Sequence, residues 1–327
     1  TDEDYEKAGA KVTSRDEVLA EADALGFVDR PSAETVAKLR AGQWVIGMLG
    51  SFTDADYVAA LEKAGLVGIA IEKLPRKLSS AQSMDEMTSQ NSVMGYKAAA
   101  DAYGSFLPMM TTAAGTIRPA KALVLGAGIA GLQAIGTLKR LGAVVTAYDV
   151  RPASQGEVES LGAKFLDLGL DFSKGQGEGG YARALSAEEQ AQQQAAVDEK
   201  AAGFDIIITT AKVPGRKPPV LLTAAGVKGL KRGAVIVDCA ASDLGGNVEG
   251  SAVGEQITEG GVKLIGAPYL ASGVATTASN LLSRNVADIL VHFVRDGKLG
   301  QDLTEELDDA LVVAGRAAAP AAAADAE

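Results

Sequence analysis

The sequence predicts an α/β fold, and three of its features do so. Through the middle of the chain, short apolar runs alternate with longer helical patterns, the rhythm of a parallel sheet covered by helices. Two of those runs, Asp205-Ile206-Ile207-Ile208-Thr209 and Ala234-Val235-Ile236-Val237-Asp238, are rich in β-branched residues and show no polar alternation, as befits strands buried on both faces. The third feature is KALVLGAGIAG, Lys121 to Gly131, where an apolar run meets a GxGxxG turn and the start of a helical pattern.

Taken in order, strands are expected at 121–125, 143–148, 163–166, 205–209, 234–238 and 262–266, and helices over 129–141, 153–161, 186–202, 222–229 and 251–259. About six strands of this kind make a doubly wound parallel sheet, a Rossmann domain over 89–277. The first 88 residues repeat the theme more faintly, with strands at 43–49 and 67–71 joined by a helix over 54–64. This Rossmann-like first domain opens on a helical pattern where a βαβ unit normally opens on a strand, so it is expected to lack its N-terminal strand. Two long helical patterns, 84–103 and 275–294, bracket the Rossmann segment. They are either peripheral helices or struts joining two domains across a cleft, and on the strut reading the first domain comprises 1–88 with 278–313. The Ala-rich stretch 314–327, which includes Pro320, has no periodic apolar face and is expected to be a flexible tail.

Each part of the glycine turn has a mechanical reason. Gly126 permits the tight turn, Gly128 lets the backbone approach a pyrophosphate, and Gly131 lets helix and strand pack closely. The phosphates then face N–H groups of Gly128, Ile129, Ala130 and Gly131 at a helix N-terminus, where the macrodipole favours negative charge. A second apolar run, Ala143 to Tyr148, ends in Asp149, followed by Val150 and Arg151. A carboxylate at that place accepts hydrogen bonds from the adenosine ribose hydroxyls, which favours NAD(H) over NADP(H).

Composition narrows the rest. Apolar content is 47 % but aromatic content only 5 %, so the cores are built mostly of Ala, Val, Leu and Ile. A net charge of −11 disfavours nucleic acid and anionic lipid as partners. A single cysteine, Cys239, excludes an intramolecular disulfide and a multi-cysteine metal site, and no metal is expected. No apolar run approaches the roughly 20 residues of a membrane span, so the expectation is a cytoplasmic chain.

Other segments admit two readings. Gly175 to Tyr181, GQGEGGY, is an exposed loop or a lid that closes over nucleotide with Tyr181 packed on it. Asp238, at a strand end, either lines the nicotinamide half or caps the following turn. Cys239 is expected to be a buried apolar side chain, and the lone histidine, His292, a structural one. Pro75 to Asp85, PRKLSSAQSMD, is dense in hydrogen-bonding side chains just ahead of a helix, which suits a capped, solvated loop or one that faces a nicotinamide.

At AQSMD (Ala81 to Asp85), SQNSVMGYKA and MMTTAAGTIRPAKALVLGAGIAGLQAIGTLKRLGAVVTAYDVR the chain resembles the NAD(H)-binding component, the alpha subunit's first domain, of proton-translocating NAD(P) transhydrogenases, which share a fold with alanine dehydrogenases. The resemblance runs from residue 1 to about 295 and extends to GGYA (Gly179 to Ala182), TAKVPGRKPPVLL and VIVDCA followed by GGN. It implies a mobile lid carrying Tyr181, and Gln82 and Asp85 as polar contacts to nicotinamide and its ribose. It further implies a basic residue at Arg76, with Lys77 a rival because PRKLSSAQ is one residue longer, and a hydroxyl at Thr88 where the family commonly has serine. Thr210, Ala211 and Asp238 fall in the family's last two motifs and join the cofactor contacts, while the longer stretch after Asp238 leaves Ser242 and Asp243 without an assigned part.

The activity so implied is transhydrogenation of the Re/Si-specific type. Hydride passes directly from NADH to NADP⁺ held by a membrane-embedded partner subunit, and the full complex couples this to proton translocation. Such a step breaks no O–H or N–H bond and needs no general acid or base, but it does need aligned nicotinamides and exclusion of water. The resemblance also implies a homodimer, peripheral to the inner membrane through its partner. An alanine dehydrogenase would need a proton acceptor and a cation for the substrate carboxylate. Members of that group resemble this chain but supply a Lys before Glu-Pro and a His after the next strand, where this chain has Val28-Asp29-Arg30-Pro31 and Gly47-Met48-Leu49-Gly50-Ser51. A non-catalytic NAD-binding module is the remaining alternative.

Overall fold

The computed structural model describes residues 1–75, 78, 86–101, 103–170, 185–212 and 216–316. They divide into two compact units, Met87–Leu281 and Thr1–Glu86 with Leu282–Glu327, the division falling inside the helix Ala275–His292.

The first unit is built on a seven-stranded sheet. Its strands run in the order Gly254–Ile257, Lys263–Gly266, Val235–Asp238, Ile206–Thr209, Lys121–Leu125, Val144–Tyr148, Lys164–Phe165. Every neighbouring pair is parallel except the edge pair Gly254–Ile257 with Lys263–Gly266. From Lys121–Leu125 the chain steps outward twice, then crosses back to lay Ile206–Thr209 on the opposite side, which makes the gap beyond Leu125 and Thr209 the topological switch point. The absence of polar alternation follows from the packing. Ala122, Val124, Ile206, Ile208, Val235 and Val237 enter one core with Ala134, Ile135 and Leu138 of helix Ile129–Arg140. Leu123, Leu125, Ile207 and Ile236 enter a second core on the other face, with Val197 and Ala201 of helix Ala187–Ala201. That helix begins at a capping box in which Ser186 and Glu189 serve each other's backbone N–H groups.

One expected helix is a strand. A helix was expected over 251–259, but Val253 and Ile257, one helical turn apart in sequence, are 52 % and 64 % exposed and bury no apolar stripe. Gly254 has φ +109°, outside helical conformation, and opens an edge strand against Lys263–Gly266. The sheet therefore has seven strands where about six were expected. A two-stranded hairpin, Met110–Thr112 with Gly115–Ile117, also lay outside the expectation.

The second unit carries a four-stranded sheet in the order Ala24–Asp29, Trp44–Met48, Val67–Ala70, Val312–Ala314, the last strand antiparallel to its neighbour. Two of these strands were not foreseen. Ala24–Asp29 has only Leu25 buried, so it shows no hydrophobic alternation. Val312–Ala314 overlaps the expected flexible tail, yet Ala314 is fully buried and Gly315, at φ +65°, turns close against Leu66 O. Short helices Arg15–Glu21 and Ala33–Ala37 are capped by Ser14 and Ser32. Ile289 and Phe293, at the end of helix Ala275–His292, pack into the core with Trp44 and Ile46, Phe293 meeting Trp44 edge to face at 5.2 Å. Among the described residues no helix is long and apolar enough to cross a membrane.

Candidate nucleotide site

The glycine turn is pinned at the switch point by the strands on either side. Gly126 N–H donates to Tyr148 O at 2.9 Å, Thr210 N–H donates to Leu125 O at 2.9 Å, and Thr210 Oγ1 donates to Gly126 O at 2.9 Å. Gly126 has φ +99°, and a Cβ there would lie 2.8 Å from Thr210 Oγ1. A Cβ on Gly131 would lie 1.8 Å from Gly126 O, so helix and strand approach more closely than any side chain allows. Gly128 differs from both. It caps helix Ile129–Arg140 without a side-chain bond, and a Cβ there would meet no atom of the described residues within 4 Å.

That open face is backed by N–H donors that pair with no acceptor among the described residues. The first helical bond runs from Leu132 N–H to Gly128 O, so the N–H groups ahead of it have no acceptor within the helix. The first turn holds no acidic residue and the last holds Lys139 and Arg140, a polarity that favours an anion at the N-terminus. A dinucleotide pyrophosphate fits this arrangement: open space among the described residues, amides that the helix leaves unpaired and a dipole of the right sign.

Asp149 stands directly beside the turn. Its Oδ2 accepts from Ala127 N–H at 2.8 Å and Arg151 Nη2 at 3.0 Å, and its Oδ1 accepts from Arg151 N–H and Nε, both at 2.9 Å. Arg151 Nη2 also donates to Ala127 O at 3.2 Å, tying the pair to the glycine turn. These bonds raise the Arg151 pKa against the opposing effect of burial. Val150 is half-buried against the second core. Tyr148, one residue earlier, is buried, its hydroxyl accepting from Gln193 Nε2 at 3.0 Å, and burial pushes its phenol up to about 12.

The far side of the switch point is held by a residue to which sequence reasoning gave no part. Asn247 is fully buried; its Oδ1 accepts from Ala211 N–H at 2.9 Å, and its Nδ2 donates to Ala211 O and Pro219 O, both at 2.8 Å. The backbone of Ala211 is thereby paired like a strand residue and has only its half-buried methyl face to offer. The signal was the GGN triplet, but nothing local indicates which backbone the amide reaches. Asp238 takes the capping alternative. It is fully buried, its Oδ1 accepts from Thr209 Oγ1 and Ala240 N–H, both at 3.0 Å, and its Oδ2 accepts from Val248 N–H at 3.1 Å. Gly246 closes over it so tightly that a Cβ there would lie 2.1 Å from Asp238 Oδ2, so the carboxylate lines no cofactor surface. Ser242 forms a turn, donating to Gly245 O at 3.0 Å and accepting from Leu244 N–H at 3.2 Å, while Asp243 is exposed.

Two reactive side chains prove structural. Cys239 is buried beside Asp238, which pushes its thiol up to about 12 and leaves it without thiolate character. His292 Nε2 lies 2.6 Å from Asp308 Oδ1 in the unit built on the four-stranded sheet. Glu305 completes a group able to meet one cation, but Arg295 already bridges Glu305 and Asp308, both at 3.0 Å. Arg76, Lys77, Gln82, Asp85, Tyr181 and the whole segment Gly175 to Tyr181 lie outside the described residues, and Thr88 is described only as backbone in helix Glu86–Asp101.

Comparison with known proteins agrees with this architecture. Residues 1–94 match the family model described as alanine dehydrogenase/PNT, N-terminal domain, and residues 96–318 match alanine dehydrogenase/PNT, C-terminal domain. The chain is 41 % identical over 312 residues to a NAD(P) transhydrogenase subunit alpha polypeptide of Rickettsia prowazekii (strain Madrid E), covering 92 % of this chain and 80 % of that one. Its fold is similar to the crystal structure of transhydrogenase from Sinorhizobium meliloti with a TM-score of 0.83 at 41 % identity, covering 96 % of this chain and 85 % of that one. It is similar to a solved L-alanine dehydrogenase with a TM-score of 0.69 at 25 % identity, covering 98 % and 85 %.

Proposed function

The chain belongs to the alanine dehydrogenase/PNT family, and from that premise we propose that it is the NAD(H)-binding component of a proton-translocating transhydrogenase. The observation that carries the proposal is the open amide-lined face at Gly128 set beside the Asp149 carboxylate. In this reading the N–H groups of Gly128, Ile129, Ala130 and Gly131 receive the pyrophosphate and Asp149 receives the adenosine ribose. Thr210 fixes the turn through Gly126 O, and Ala211 supplies apolar contact. By the family resemblance, Gln82 and Asp85 contact the nicotinamide and its ribose, with Arg76 (or Lys77) as the cation, Thr88 as the hydroxyl and Tyr181 on the lid.

Bound NAD(H) supplies the hydride donor or acceptor at nicotinamide C4. The protein's task is then to align that carbon with the nicotinamide of NADP(H) on a partner subunit and to keep water away. No side chain has to move a proton, and none in the described site is poised to. The sole histidine is bonded to Asp308, and Ser51 gives both its N–H and its hydroxyl to Glu72 Oε1 at 2.8 Å. Arg30 is likewise engaged, donating to Asp54 at 2.7 Å and lying 4.7 Å over the Tyr57 ring. These positions, where alanine dehydrogenases resembling this chain carry their Lys and His, favour transhydrogenation over amino-acid oxidation. We assign the partner as membrane-embedded and NADP-binding, which puts this chain in the cytoplasm at the inner membrane. We also assign the oligomer as a homodimer, supported by Phe106, Met109 and Ile117 exposed on and beside the hairpin Met110–Thr112 with Gly115–Ile117.

The test compares hydride exchange between NADH and an NADP⁺ analogue, with the purified NADP-binding partner present, against NAD⁺ reduction by L-alanine. Exchange that depends on the partner is the expected result; reduction by alanine alone would reverse the assignment.

A further inference from the structure

A dinucleotide bound as above has a direction across the seven-stranded sheet. Its pyrophosphate lies at the turn after Lys121–Leu125 and its adenosine ribose at Asp149, beyond Val144–Tyr148. The nicotinamide half therefore extends the other way, over the ends of Ile206–Thr209 and Val235–Asp238. Those two strands end side by side, Thr209 paired with Asp238, and Cys239 N–H donates to Thr209 O at 3.0 Å. Lys212 brings a cation to this edge. It is exposed, and the backbone leading to it is fixed by Thr210, bonded to Gly126 O, and by Ala211, clasped by Asn247. No hydrogen bond or ion pair among the described residues holds its ammonium. Burial and the neighbouring Asp238 push the Cys239 thiol up to about 12, and the Lys212 ammonium pulls the other way, so its field reaches the end of Val235–Asp238.

The two redox forms of the cofactor differ at this edge by one charge. The oxidised nicotinamide ring is positive and the reduced ring neutral, while the pyrophosphate is the same in both. An ammonium here attracts the pyrophosphate of either form alike, so that attraction cancels from the ratio of their affinities. Its repulsion of the oxidised ring does not cancel. Asp238 acts in the opposite sense, but its carboxylate is locked by Thr209, Ala240 and Val248 and stays the same when Lys212 alone is changed.

We propose that Lys212 is a specificity-determining residue that tilts the site toward NADH over NAD⁺ by setting a positive charge beside the nicotinamide half. The inference rests on the nucleotide-site reading above and extends it from which dinucleotide is held to which redox form is held more tightly. For unit charges about 7 Å apart the repulsion changes an equilibrium constant about threefold in bulk water, and more at the lower dielectric of a protein surface.

The experiment titrates the full chain with NADH by fluorescence and with NAD⁺ by displacement of bound NADH, as wild type, Lys212→Met and Lys212→Arg. The affinity for NADH divided by that for NAD⁺ is expected to fall at least about threefold in Lys212→Met. It should keep its wild-type value in Lys212→Arg, and the effect of methionine should shrink in about 1 M salt, where screening acts within about 3 Å. Thermal melting confirms that both variants fold, as expected for an exposed side chain. A ratio unchanged in Lys212→Met, or lowered as far in Lys212→Arg, would overturn the proposal, whatever the two affinities do separately. Wild type that binds neither nucleotide would instead overturn the nucleotide reading itself.

Discussion

Gly128 and Gly131 lie three residues apart in one motif, yet alanine at each should act on a different property. At Gly131 the new methyl would start 1.8 Å from Gly126 O, where ordinary contact needs roughly 3.5 Å. Helix and strand must part by well over 1 Å at a backbone atom that cannot swing away. Overpacking of that kind costs about 1–3 kcal/mol, and each kcal/mol lowers the melting temperature by about 2–4 °C in a chain this size. At Gly128 the methyl meets no atom of the described residues within 4 Å, and φ −75°, ψ −170° is open to alanine. The fold should therefore lose no more than about 1 kcal/mol, the preference of an N-cap for glycine over alanine. The methyl instead occupies the space assigned to the pyrophosphate. Displacing it from one charge-assisted amide costs about 1.5–3 kcal/mol, or about ten- to a hundredfold in affinity. Thermal melting and NADH fluorescence titration of Gly128→Ala and Gly131→Ala measure the two effects separately. Gly128→Ala that melts like wild type and binds NADH like wild type would refute the placement of phosphate on this turn. Equal destabilisation by both substitutions would refute the packing argument.

Asn247→Ala removes the partners of Ala211 N–H, Ala211 O and Pro219 O. It should cost about 2–4 kcal/mol, read by urea denaturation, with Asn247→Asp no milder, because the oxygen in place of Nδ2 would face the carbonyls of Ala211 and Pro219 in a fully buried site. Burial raises Cys239 from 9.0 and Tyr148 from 10.0, each to about 12 in the folded chain. The unfolded state therefore loses these protons first, and stability should be flat below about pH 9 with respect to them and fall as pH rises toward 12. Cys239→Ala with Tyr148→Phe should flatten that fall in pH-dependent melting; an unchanged slope would assign the alkaline loss to other groups. Tyr148→Phe alone leaves Gln193 Nε2 without its 3.0 Å partner and should cost about 1–2 kcal/mol at neutral pH, measured by the same melts.

Local chemistry sufficed for much of the larger unit. The fingerprint turn was legible because GxGxxG, the apolar strand before it and the helix after it are neighbours in sequence, and the glycine conformations follow from steric rules acting within a few residues. The parallel strands were legible from β-branched runs long enough to exclude surface alternation. Ala24–Asp29 was not legible, because only Leu25 in it is buried. Gly254–Ile257 was misread as part of a helix, although Val253 and Ile257, one helical turn apart, are both exposed and form no buried stripe.

At the candidate site the division is the same. From the sequence alone came the α/β class, the glycine turn, the place of Asp149 and the family to which they point, since each is written in residues close together along the chain. Tertiary structure alone decided that Asp238 is a buried cap, that Asn247 clasps Ala211 from 36 residues away, and that four N–H groups, one of them reaching Asp149 from Ala127, saturate its carboxylate. A hydrogen bond depends on separation in space and on the orientation of donor and acceptor. Once the chain has folded back on itself, sequence spacing fixes neither.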